Sequence, residues 1–247
     1  MSDLASSSSA SQRFSGPDAL RGLAMLWMTA FHFSFDLNYF GFIHQDFYRN
    51  PLWTGQRSLI VSLFLLCAGM GQAVAVAQAQ SWPRFWRRWV QIAGCALLVS
   101  VGSWWMFPAS FISFGVLHGM ALMLIVVRVL APRCPNWLLL LAGLAALWVH
   151  PWYSHPFFDS RWTNWTGLVT HLPITEDYVP ILPWLGPMLW GYALARALMR
   201  RRPHWLDWGQ RQPVRALARL GQWSLSYYMV HQPVLLGLLA LAATMRA

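Results

Sequence analysis

His32, Asp36, His118 and His231 carry proton-transfer chemistry into long apolar runs of the sequence. His32 and Asp36 stand in "FHFSFDLNYF", four residues apart, a spacing that puts both on one face of a helix. An imidazole beside a carboxylate is a general-base arrangement, in which the carboxylate fixes the tautomer; the spacing predicts that Asp36 does this for His32 or for a histidine on another helix. His118 in "FGVLHG" and His231 in "YYMVHQPVL" are placed to join them, with Asn38, Ser113 and Gln232 completing a polar pocket and His44 folding over it. The plainer use of each histidine is as glue, a neutral ring bonded to a neighbouring helix. Three histidines and a carboxylate could also bind a metal, but no HxxxH or HExxH spacing supports that, so no metal is expected. Neither a GxSxG elbow nor a cysteine nucleophile motif is present, which disfavours covalent serine or thiol chemistry.

The elements that position these residues are membrane helices. Of 247 residues 57% are hydrophobic and 11% charged, and the apolar residues come in runs rather than in alternation. Runs able to cross a ~30 Å hydrocarbon layer lie at 20–41, 58–79, 89–107, 111–130, 181–199 and 218–243, with a shorter one at 136–150 between Pro135 and Pro151. The expected fold is an all-α polytopic transmembrane bundle of about seven spans in one domain, residues 17–247, after a disordered cytoplasmic tail, residues 1–16. In that layout His32 is ~18 Å from the start of the first span, His118 ~10 Å into the fourth from its outer end and His231 ~20 Å along the last. All three fall in the outer half. Asp or Arg at a span centre costs on the order of 2.5–3.5 kcal/mol, so such groups need partners or a wet cavity. Three cysteines, Cys67, Cys95 and Cys134, show no metal-type spacing and read as structural thiols.

Charge supplies the orientation. The formal net charge of +10 comes with 18 basic residues, all arginine, and they alternate loop by loop, fourteen on one side and four on the other. That pattern puts the N-terminus in the cytoplasm and argues against nucleic acid as the partner. In "SWPRFWRRW" the aromatics interleave with Arg84, Arg87 and Arg88. Anchoring at an anionic lipid surface is one use of such a run; gripping the phosphates of a cytoplasmic cofactor, with Arg196 to Arg202, is the other.

The stretches "PDALRGLAMLWMTAFHFSFDLNYFG", "FLLCAGMG", "ISFGVLHGMALMLI", "LPWLGPMLWGYAL" and "LGQWSLSYYMVHQPVLLG" together resemble the heparan-alpha-glucosaminide N-acetyltransferase catalytic-domain family, especially its small bacterial members. The resemblance implies a multi-span acyltransferase of the bacterial inner membrane, taking acetyl from acetyl-CoA on the cytoplasmic side to a sugar amine or hydroxyl on the other. It also implies a catalytic histidine in the first outer loop, matched best by His44, while His32 stands about where the family has a functional asparagine; the catalytic role is thus divided between His32 and His44. Asp18 and Arg21 match the family's DxxRG block and become cofactor-binding candidates beside Arg84, Arg87 and Arg88. The chain is shorter than the characterised transferases, which carry more spans. Two other functions fit the same residues: a transporter or flippase of a sugar or lipid-linked substrate using the His/Asp cluster, and a non-catalytic membrane partner.

Overall fold

The computed structural model describes residues 13–208 and 212–245. Residues 1–12 of the expected tail, and Arg211 and Arg246 of the charge count, lie outside them, while Ser15 and Gly16 already belong to the first helix. The described residues form an all-α assembly: α1 (Ser15–Tyr39), α2 (Pro51–Ala77), α3 (Trp82–Met106), α4 (Val116–Leu130), α5 (Asn136–Trp152), α6 (Ile181–Arg201), α7 (Val214–Gln222) and α8 (Ser224–Thr244). The only pairing of extended chain among them is a single bridge between Phe114 and Tyr178.

Four of these helices are long and apolar enough to cross a membrane: α2, α3, α8, and α4 with the 3-10 turn that prolongs it to Arg133. The chain is therefore an integral membrane protein by length and composition. Of the other three expected spans, α5 is a shorter apolar helix. At 25 and 21 residues α1 and α6 reach the ~20 residues a crossing needs, but Asp18, Arg21 and Asp36 dilute the first and Arg196, Arg200 and Arg201 the second.

Two boundaries differ from the expected spans. The last apolar run is not one helix: it breaks at Trp223 into α7 and α8. Here α7 carries Arg215 and Arg219 and buries Ala218 and Gly221, so it is a short amphipathic helix laid against α1. At the other break residues 111–115 are not helical, because Gly115 is the N-cap of α4 and the Val179 N–H pairs back to the Phe114 carbonyl. His118 consequently sits in the first turn of α4 and not two turns inside a span.

Close helix crossings hold the bundle, as expected where lipid leaves little hydrophobic drive between helices. The α2–α6 pair is the most extensive. A Cβ on Gly69 would overlap the Met188 carbonyl oxygen, and one on Gly191 would overlap that of Leu66. The α1–α7 crossing repeats the device, with Gly22 against the Leu217 carbonyl and Gly221 against that of Asp18. Arg196 ties α6 to the start of α5, donating to Asn136 Oδ1 at 2.5 Å, the Ala131 carbonyl at 3.2 Å and the Cys134 carbonyl at 2.7 Å. Around this frame α3 and α8 are peripheral, leaving Leu97, Leu98, Val101, Leu238 and Leu241 exposed.

Candidate functional site

α1 and α8 meet along a polar seam with three rungs. Thr29 Oγ1 lies 2.7 Å from the Tyr227 hydroxyl, His32 Nδ1 lies 2.8 Å from His231 Nε2, and Gln232 Nε2 donates to both Asp36 oxygens at 2.9 and 3.1 Å. The residues on α1 are three and four apart, one stripe of the helix. The ring planes of His32 and His231 are 12° apart, and the Tyr227 ring stacks at 8° on the other side of His231.

This seam fixes the protons. His231 Nδ1 is 2.8 Å from the Tyr228 carbonyl, which only accepts, so that nitrogen carries the hydrogen and Nε2 of the neutral ring is bare. His32 Nδ1 must then donate to His231 Nε2. The remaining His32 nitrogen, Nε2, is left with its lone pair, the state a general base requires. The expected partnership of Asp36 with His32, or with a histidine on another helix, is corrected here: Asp36 is bonded to Gln232, and His231 sets the His32 tautomer. Asp36 is 1% exposed, so the bidentate amide is what makes its burial tolerable. Among the described residues Gln232 Oε1 has no hydrogen-bond partner although it is buried.

His118 stands apart from this group. Its Nδ1 accepts the Gly115 N–H at 3.2 Å, capping α4, and its Nε2 lies 3.1 Å from Ser100 Oγ, which itself donates to the Ile112 carbonyl. The pocket expected to gather His32, His118 and His231 therefore reduces to the pair on α1 and α8. Ser113 is in the non-helical segment before α4. Close to it the Asp177 carboxylate accepts the Val116 N–H at 2.7 Å, at the start of α4, and burial pushes this carboxyl up to about 6.

His44 lies in the loop after α1 and is exposed, on a small hollow of about 490 Å³ shared with Asn38, Asp46 and Tyr48. Asn38 shapes that loop, its Oδ1 accepting the Gln45 N–H at 2.6 Å, while Phe47 packs on Phe31, Phe35 and Trp53. Asn38 is six residues beyond His32 on α1, a rise of about 9 Å, and no hydrogen bond among the described residues links His44 to His32.

At the opposite, arginine-rich end a cavity of about 1260 Å³ opens among α1, α2, α3, α4 and α8. It is larger than the ~300–1,000 Å³ usual for small-molecule sites. Arg13, Arg21, Arg84 and Arg88 line its mouth. Asp18 also lines it but is already paired, 2.6 Å from Arg13 Nε and 3.1 Å from Arg21 Nη1, and both of those arginines are near enough to Arg88 to repel it. Inward the lining turns apolar through Met25, Phe64, Ala68, Leu117 and Met120, and it ends at Tyr228, one turn before His231. Of the cofactor candidates named from sequence, Asp18, Arg21, Arg84 and Arg88 are brought together; Arg87 does not line the cavity. Arg196 is fully engaged at the α5–α6 junction, which corrects its expected part in a phosphate cluster. Sequence reasoning missed Arg13, Thr29, Tyr227 and Gln72; the last is a lone amide in the apolar run of α2 and the most legible of these signals.

A family model described as "Heparan-alpha-glucosaminide N-acetyltransferase, catalytic" matches residues 13–233. No curated protein and no solved structure matches.

Proposed function

The chain belongs to the heparan-alpha-glucosaminide N-acetyltransferase catalytic family, and from that membership we propose that it moves an acetyl group from acetyl-CoA to a sugar amine or hydroxyl across the bundle. The observation that carries this reading is the grading of the large cavity, from four arginines at its mouth to an apolar end beside Tyr228. A donor with a phosphorylated head and a small reactive end matches that order. The phosphates meet guanidinium forks, which bind such oxygens bidentately, and the thioester lies at the inner end, one turn from His231.

In the reaction the acceptor enters from the far end and its N–H or O–H approaches His32 Nε2. That nitrogen takes the proton as the acceptor atom attacks the thioester carbonyl; the C–S bond breaks, the C–N or C–O bond forms, and the proton leaves with the CoA thiol. His231 acts as a positioning residue, holding His32 through Nδ1. With Arg mostly at the donor end, the positive-inside rule puts acetyl-CoA in the cytoplasm and the acceptor outside, in keeping with a bacterial inner membrane. His44 at the outer hollow receives the sugar.

The test is purified chain in liposomes with isotopically labelled acetyl-CoA and a glucosamine acceptor. Label on the sugar with matching release of CoA thiol supports the reading. Movement of the sugar with no CoA consumed would replace it by the transporter, and neither by the non-catalytic partner.

A further inference from the structure

Gln72 is a polar residue of the cavity that the proposed chemistry leaves unused. On α2 the cavity is lined by Phe64, Ala68, Gly71, Gln72, Val74 and Ala75, and Gln78 follows at the C-cap. At 1.5 Å per residue Gln72 is about 9 Å from Gln78 at the mouth and about 12 Å from Phe64 near the inner end. It is therefore a hydrogen-bonding side chain on α2 between the arginines and the apolar floor. Its Oε1 is buried and has no hydrogen-bond partner among the described residues. A buried acceptor without a partner is costly, and a ligand amide that the Gln72 carboxamide turns to meet relieves the cost.

We propose that the Gln72 carboxamide recognises an amide of the pantetheine arm of the donor, which makes the cavity read the arm as well as the phosphorylated head. This rests on the assignment of the cavity to acyl-CoA. A primary carboxamide offers one donor and one acceptor side, as does the secondary amide of pantetheine, so the two pair in either orientation of the Gln72 group. The arginines recognise charge and would hold any bisphosphate nucleotide; Gln72 distinguishes one that carries an amide-bearing arm. The α2 residues that line the cavity deeper than Gln72, namely Gly71, Ala68 and Phe64, carry no amide.

The experiment measures binding of CoA and of adenosine 3′,5′-bisphosphate, the head without the arm, to full-length protein in detergent. Wild type is compared with Gln72→Met, which keeps length and helix propensity but has no amide, and with Gln72→Asn, which keeps an amide on a shorter stem. Thermal unfolding is followed on all three. Gln72→Met should bind CoA about tenfold more weakly, the size of one buried hydrogen bond, with bisphosphate binding unchanged. Gln72→Asn should fall between. Equal CoA affinity in wild type and Gln72→Met, or the same loss for CoA and bisphosphate, overturns the role of Gln72 alone. Wild type that binds neither ligand overturns the donor-site reading and this inference with it.

Discussion

The two ends of α1 handle polar groups in opposite ways. At the arginine-rich end Arg21 borders open space, and with Arg13 it crowds Arg88 while a single carboxylate, Asp18, serves two guanidinium groups. At the far end Asp36 and His32 are matched one to one by Gln232 and His231 on α8. Surplus charge facing a cavity is a site waiting for a counter-ion, whereas a seam of paired side chains holds a few atoms in one protonation state. One helix thus links a place of binding to a place of geometry, and each can be broken separately.

The largest disruption is expected where α1 is clamped. Gly221→Val would drive a side chain into the Asp18 carbonyl, so little folded protein should be recovered, measured as the monodisperse fraction after extraction. Next comes the seam. His231→Ala frees the His32 tautomer without touching the cavity lining, and should lower kcat about tenfold with the KM for acetyl-CoA unchanged. Phenylalanine at the same position should not rescue it. Arg88→Ala attacks the other end: KM for acetyl-CoA should rise about fivefold and become less sensitive to salt, while thermal stability holds or improves because like charges are relieved.

The smallest effect is expected outside the comparison altogether, at Asp177. Its folded pKa of about 6 is above its ordinary 3.8, so the folded state holds the proton more tightly. This contribution to stability is fully present below the ordinary pKa and is lost as pH rises through about 6. Asp177→Asn keeps an acceptor for the Val116 N–H and should flatten the rise of unfolding temperature that the wild type shows on acidification between pH 7 and 4.

The helices, the arginine-rich end and the level at which His32 and His231 meet along α1 and α8 are legible in the residues because each follows from local pattern: apolar run length, charge clustering and helical rise. Partnerships were less so. Asp36 and His32 share a face, yet Asp36 pairs with Gln232 because α8 brings an amide to it, which no spacing within α1 reveals. The apolar run at 111–130 concealed a non-helical start, since Phe114 pairs with a segment more than sixty residues away, and His118 became a cap as a result. The break at Trp223 was hidden by continuous hydrophobicity, although Arg215, Arg219 and Gly221 already marked α7 as a different kind of helix.

In the proposed reaction His32 performs the chemistry while the donor is held elsewhere. Single-turnover transfer by His32→Ala at saturating labelled acetyl-CoA, with the CoA dissociation constant taken from the same titration, tests it most directly. The account predicts a rate at least about 100-fold below wild type with CoA affinity within about twofold. Transfer at the wild-type rate, or a loss of rate matched by an equal loss of CoA affinity, would contradict it.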